Sequence, residues 1–416
     1  MPTTKNGANR NWRVMTSKRK QSLLIGVISC FYTSIEVHAE EKIDSSIVEP
    51  EPVISKKENA AGWMHHVLDW ELVYTGEMLR NFTGGITQGS AYRGDLSLYM
   101  SVNTEAAGWW RNGEFFLHAQ QQHGNGITEN EVGDFQVLSN IDADDFIQLS
   151  EIWYKHSFFN HKLSIKAGKQ DANADFAYTE FGGEFINSSP GFSPTIPLVT
   201  YPDPGLGVVM EVVLSRHLAI RSGVYQGRPD GGRSIGNTVD GLFGPMLMIE
   251  PSFSFAIRDY PGQFRIGYWY NGDTFEHLDG AGESSSASGI YAIWDQLFYR
   301  ENPALDESDQ GAGFFIQFGY TGRKAIEAKT YFGAGFQWAG AIPHRDRDIV
   351  GLGLFYVHFN PAAGLEKSFE LTIETFYEIQ LWHSLYIKPD IQLIMNPGGS
   401  DNDTAIVGGI RWGYTF

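Results

Sequence analysis

Cysteine is almost missing from this chain of 416 residues: Cys30 is the only one. A disulfide framework, a thiolate zinc site and a paired-cysteine redox centre are therefore excluded. No stretch of 18 consecutive apolar residues occurs, which excludes an ordinary transmembrane helix. Charge is sparse as well, with Asp, Glu, Lys and Arg together making up 19% of the residues. The motifs of common chemistries are missing too. There is no HExxH, no phosphate-binding glycine loop and no G-x-S-x-G elbow. No residue is nominated for catalysis, no metal ligand set stands out, and no cofactor is implied. What the chain has in abundance is glycine, 47 residues, and aromatics, 14% of the total. That pairing suits many aromatic-rich strands joined by tight turns.

The N-terminus reads as an export signal. Lys18, Arg19 and Lys20 precede an apolar stretch from Ser22 to Val37, and "VHA" (Val37 to Ala39) sets up cleavage before Glu40. A start at Met15 rather than Met1 gives a signal of ordinary length. "VISC" (Val27 to Cys30) is a rival lipoprotein box, although apolar residues continue beyond it. Residues 1–39 hold six Lys/Arg and one Asp/Glu, so the mature chain keeps 25 basic and 48 acidic residues, a net charge of −23. Such a balance disfavours nucleic acid as a partner. Residues 40–62 are rich in Glu, Pro, Ser and Lys and read as a flexible leader. Residues 63–416 form the folded domain.

Within that domain about sixteen segments alternate with a period of two, which places successive side chains on opposite faces of a strand. In "FELTIETFYEIQL" (Phe369 to Leu381) one face is nearly all apolar, and the other carries Glu370, Glu374, Glu378 and Gln380. The same pattern puts Arg93 and Asp95, then Glu114 and His118, then Glu151, Trp153 and Lys155, and later Arg265 and Trp269, on polar faces. Segments near 135–140, 246–257, 289–299 and 329–338 alternate less cleanly. Connections such as Phe159 to His161 and Ser215 to His217 are very short, whereas Gly272 to Gly289 is long and polar. Short turns at one rim and long loops at the other fit an outer-membrane barrel.

The chain ends "IVGGIRWGYTF", with Ile410, Trp412, Tyr414 and Phe416 on one face. An alternating last strand with a terminal aromatic resembles the signal by which the barrel assembly machinery recognises its clients. Together these features predict an all-β fold, a transmembrane antiparallel β-barrel of about 16 strands and porin type, in the outer membrane of a Gram-negative cell. Apolar faces would meet outer-membrane lipid, and the acids of Phe369–Leu381 would face water in the lumen.

Several pieces resemble the carbohydrate-selective porins of the OprB family. They are "FTGGITQGSAYRGDLSLYM", "LSIKAGKQDANADFA", "GGEFINSSPGFSPTIPLVTYPDPGLGV", "FYEIQLWHSLYIKPDIQLIMNPGG" and "AIVGGIRWGYTF", in order over roughly residues 63–416. The resemblance implies diffusion of sugars, glucose above all, through a sixteen-stranded barrel. In that family an arginine, a glutamate and a tryptophan from early strands shape the constriction. By resemblance these roles fall to Arg93, Glu114 and Trp153, with Asp95, Glu151 and Lys155 beside them. The chemistry is suitable, because sugar C–H faces meet aromatic rings and charged groups hold hydroxyls. Assembly as a homotrimer is compatible with a porin wall, though the sequence marks no interface.

Other readings stay open. Asn187 to Gly205 carries five prolines and is no central strand; it is either an inward-folded loop or an ordinary external one. Gly62 to Trp70 could start as a short helix at the periplasmic mouth. Asp142 to Asp145 could take calcium in a loop, and His65–His66 is a weak metal candidate. A general porin, weakly selective for cations, and an outer-membrane barrel enzyme are the alternative functions.

Overall fold

The computed structural model describes residues 67–227, 244–301 and 311–416. The stretches expected to be a signal (1–39) and a leader (40–62), and Gly62–His66, lie outside them. The strands are β1 (Leu68–Thr83), β2 (Gly89–Asn103), β3 (Gly113–Gly124), β4 (Phe146–Phe158), β5 (Leu163–Gln170), β6 (Gly205–Ser215), β7 (Leu218–Tyr225), β8 (Met246–Ile257) and β9 (Tyr260–Asn271). They continue as β10 (Phe275–Glu276), β11 (Glu283–Ser284), β12 (Ala287–Arg300), β13 (Gly311–Tyr320), β14 (Ala328–Ala339), β15 (Ile349–Phe359), β16 (Phe369–Trp382), β17 (Leu385–Met395) and β18 (Ala405–Thr415). Sixteen of them close into one antiparallel barrel, each paired with its neighbours and β1 with β18; β10 and β11 form a separate two-stranded ribbon. Closure leaves no sheet edge, so every ladder group inside a bilayer finds a partner.

The alternation decides which way each side chain points. Ile249, Phe253, Ile266, Tyr268, Leu352, Leu354, Ile391 and Ile410 are exposed on the outer wall. Their neighbours in sequence, such as Glu250, Arg265, Gln392 and Arg411, are buried inside. Gly267 and Gly351 leave room for the rings of Tyr291 and Phe376 from the adjoining strands, one use of the abundant glycine. At the short-turn rim Arg258 and Asp259 both take positive φ (52° and 69°), as a two-residue hairpin requires to match strand twist. The end of the barrel seam lies at the same rim, where the Phe416 amide donates to the Leu72 carbonyl at 3.0 Å.

The weaker alternating segments at 246–257, 289–299 and 329–338 lie in strands β8, β12 and β14, but 135–140 does not form a strand. It belongs to the β3–β4 connection, which bends into the lumen. Val137 and Leu138 of the segment, and the adjoining Ile141, are buried there, and an apolar run of this kind cannot tell a strand from a packed loop. Gly272 to Gly289 is likewise more than a plain loop, since it contains the β10–β11 ribbon.

Candidate functional site

The barrel is not an empty tube. The β5–β6 connection, residues 171–204, also folds inward, so the proline-rich segment is an internal loop. Leu198, Val199, Thr200 and Tyr201 are buried, as are Ile186, Asn187, Ser188 and Ser189. The two inward loops meet: the Asn140 amide donates to the Ile186 carbonyl at 2.7 Å and the Ser188 amide to Val137 at 3.0 Å.

Side chains of the wall take up further amides of the loop backbone. Glu370 accepts from the amides of Phe135 (2.7 Å), Gln136 (2.9 Å) and Gly398 (2.6 Å). Glu374 accepts from Ile186 (2.6 Å) and Asn187 (3.0 Å). Glu378 lies 2.9 Å from Lys388, which also donates to Glu184 of the loop at 2.8 Å. The three acids of "FELTIETFYEIQL" do point inward, but they are buried against loop and wall rather than bathed in lumen water. The reason is that a loop crossing the barrel has amides without strand partners, and buried amides must be paired. Arg265 and Trp269, also expected to line the lumen, are covered too: Tyr178 of the loop lies over the Arg265 guanidinium at 4.1 Å.

On the early strands Glu114, Glu151, Trp153 and Lys155 stay partly exposed, while Asp95, Ser97 and His118 beside them are buried. Asp95 accepts from Gln120 (2.6 Å) and Ser97 (3.0 Å), and Ser97 meets His118 at 3.2 Å. His118 lies 3.7 Å from Glu151, and Glu151 accepts from the Trp153 indole N–H at 3.3 Å. A bulge at Ser150 lets β4 turn both Ser150 and Glu151 inward. Trp153 stacks on Phe116 from the β3 side at 4.7 Å and 20°, and Lys166 covers it from the β5 side at 5.1 Å. Its edge, not its face, is therefore left for the lumen. Lys155 stands opposite Glu114 on one side and opposite Lys166 on the other. Lys166 pairs with Asp175 of the loop.

Of the expected constriction residues, the structure gathers Glu114, Glu151, Trp153 and Lys155 into one patch and links Asp95 to it through the polar ladder. Arg93 stands apart. It pairs with Gly124, while Glu114 pairs with Asn103, ten residues further down β2. At ~3.3 Å per residue that is roughly 30 Å along the strand. Arg93 binds the β3–β4 loop instead, donating to Asp145 at 2.9 Å and lying 3.5 Å from Asp142. Asp142 and Asp145, candidate calcium ligands by sequence, face an arginine, and among the described residues no group of three His, Cys, Asp or Glu side chains converges as a metal site. The loop residues Tyr178, Glu180 and Phe181 were not singled out in the sequence, because nothing local marks a loop as internal.

Electrostatics in the loops follow burial. Burial pushes the Asp142 carboxyl up to about 6, with the Thr128 amide and Arg93 opposing. Burial and the charge of Glu151 raise Asp171 to about 7. At Asp175 burial acts upward, but Lys166 and Arg221 outweigh it and hold the group below its ordinary value.

The profile described as "Carbohydrate-selective porin, OprB family" matches residues 87–416. Porin B of Pseudomonas aeruginosa is 21% identical over 398 residues, covering 82% of this chain and 86% of that protein. The high-pH structure of Pseudomonas putida OprB superposes with a TM-score of 0.76 at 20% identity, over 86% of this chain and 96% of that one. Its low-pH structure gives 0.57 at 17% identity, over 86% and 95%. With a family profile spanning most of the chain and a closed sixteen-stranded barrel of the same fold, this chain belongs to the OprB family of carbohydrate-selective porins and serves as an outer-membrane sugar porin.

Proposed function

We propose that glucose-type sugars cross along the β2–β5 wall, and that Glu151, Lys155, Trp153 and Glu114 guide them there. The supporting observation is that Glu114, Glu151, Trp153 and Lys155 remain partly exposed, whereas Glu370, Glu374, Glu378 and Lys388 on the far wall are buried beneath the loops. Charged hydrogen bonds to hydroxyls are worth ~1.5–3 kcal/mol each, and binding has to stay weak for the sugar to leave. The edge of Trp153 carries the positive rim of the ring quadrupole and so suits hydroxyl oxygens rather than a stacked sugar face. Asp95 steadies this patch through Ser97, whose hydroxyl donates to Asp95 and meets His118. Arg93 acts at one remove, by tying down the β3–β4 loop.

Liposome swelling with mature protein tests the reading. Saturable glucose entry that weakens in Glu151→Gln and Lys155→Met supports it. Entry that scales with solute size alone supports the general porin, which the net charge of −23 would make weakly cation-selective, and a reversal potential in a salt gradient measures that. A lipid or peptide hydrolysis assay addresses the barrel-enzyme alternative. The same proposal includes export by cleavage after Ala39, a leader at 40–62 and recognition of Phe416 by the assembly machinery. The mass of the mature chain and crosslinking in the membrane test cleavage and trimer formation.

A further inference from the structure

We propose that Glu250, Asp295 and Glu374 are positioning residues that set the size limit of the pore, by fixing residues 171–204 at a defined place in the lumen. They come from three separated strands, β8, β12 and β16, and they take the loop in sequence order. Glu250 accepts from the Ala177 amide at 3.0 Å. Asp295 accepts from Glu180 at 2.9 Å and Phe181 at 3.4 Å. Glu374 accepts from Ile186 and Asn187, one carboxylate oxygen to each. All three acids are almost fully buried, with exposures of 1%, 2% and 0%.

Between the last two anchors lies the tip 182–185. Gly183 is its exposed residue. Phe185 is wedged edge-on among Phe315, Phe355 and Phe376, with centroids 5.1 to 5.8 Å away. A buried carboxylate is a costly way to hold a loop that apolar contacts could hold. What it adds is direction: two oxygens accepting from two successive amides define both the position and the orientation of the backbone. The anchors flank the only exposed stretch of the tip, so the distance from tip to the opposite wall depends on them. This inference rests on the chain being a porin, not on which wall reads the sugar.

The test is Glu374→Ala in mature protein reconstituted in planar bilayers and liposomes, with Glu374→Gln as the conservative variant. Heat-modifiable gel migration and circular dichroism establish that the barrel is closed. We expect single-channel conductance to rise in Glu374→Ala and trisaccharides excluded by the parent to enter. Glu374→Gln, which keeps one acceptor oxygen, should fall between the two. Glucose saturation in the parent serves as a separate readout, so a failure of the sugar reading is not mistaken for a failure of this one. A closed barrel with unchanged conductance and unchanged exclusion overturns the proposal. Should Glu374→Ala not fold, Glu250→Ala is read by the same two measures. Amide exchange in the unaltered protein gives a third, since fast exchange at Ile186 and Asn187 also overturns it.

Discussion

Lys388 offers a direct measure of how much the inward loop depends on buried charge. Its ammonium donates to the carbonyl of Glu184 at 2.7 Å and to its carboxylate at 2.8 Å, and it lies 2.9 Å from Glu378. The rings of Phe376 and Tyr386 stand 4.9 and 5.6 Å away, and the residue is 1% exposed. Lys388→Met keeps most of the volume and removes the charge. Two buried carboxylates then share a site with no cation. Removing one partner of a buried pair costs about 3–5 kcal/mol, and the cost does not double, because one acid can take up a proton. The strain falls on the loop tip, since the wall is held by complete ladders and the tip by a few anchors. A penalty of ~3 kcal/mol raises the fraction of open tip by roughly 150-fold, at 1.4 kcal/mol per factor of ten. Limited proteolysis of reconstituted protein, followed by mass spectrometry, reads this as faster cutting near residues 182–184. Adding Glu184→Gln and Glu378→Gln to Lys388→Met removes the unpaired charges and should recover most of the protection. Unchanged cutting in Lys388→Met, with the barrel intact, would refute the reasoning.

Three further outcomes follow from the same contacts. Trp153→Ala removes one stacked aromatic partner and one cation–π partner, worth about 0.5–1.5 kcal/mol and about 0.5–2 kcal/mol; in swelling assays the half-saturating glucose concentration should rise severalfold with conductance near that of the parent. Asp142, raised from 3.8 to about 6 by burial, holds its proton more tightly folded than unfolded. Its contribution is therefore full below about pH 4 and lost as pH rises through about 6. Protease protection of the β3–β4 loop should decline across that window, and Asp142→Asn should flatten the decline. Gly76→Ala would place a methyl 2.5 Å from the Trp412 ring, an overpacking that costs typically ~1–3 kcal/mol and lowers the urea midpoint of the folded barrel.

The wall was legible in the sequence because its rule is local. A strand that faces lipid on one side and the lumen on the other must alternate, and the alternation identified the inward side of β2, β3, β4 and β16 residue by residue. Even β4 kept its polar set despite the bulge at Ser150, because Glu151, Trp153 and Lys155 follow the bulge in phase. The last strand was legible for a different reason, a terminal aromatic on an alternating face. The contents of the lumen were legible only in part: the prolines of Asn187 to Gly205 excluded a central strand and left an inward fold as one of two readings, but nothing local chose it. Asp142 and Asp145 read as solvated loop acids or calcium ligands, and nothing in their neighbourhood announces that Arg93, some fifty residues earlier, would meet them.

The acids of β16 show where local reasoning stops. Period-two alternation says that Glu370, Glu374 and Glu378 share a face, and it says which face. It cannot say whether water or protein occupies the far side of that face. Their spacing of four residues corresponds to steps of about 13 Å, too long for neighbouring acids to share one partner, and each meets a different piece of chain: Glu370 the β3–β4 loop with Gly398, Glu374 the β5–β6 loop, and Glu378 the lysine that holds Glu184. A wall of free carboxylates would make the lumen strongly anionic and repay no backbone amide. A wall whose acids are consumed by loop amides and a buried lysine leaves the early strands with charges that can meet a solute, Glu114, Glu151 and Lys155 on β3 and β4 and the Glu211–Arg221 pair on β6 and β7. The selectivity of this pore therefore depends less on how many acids point inward than on how many of them the loops have already claimed. Substituting the claimed acids should change what fits, and substituting Glu151 or Lys155 should change what binds. Conductance and half-saturation, measured on the same preparations, separate the two.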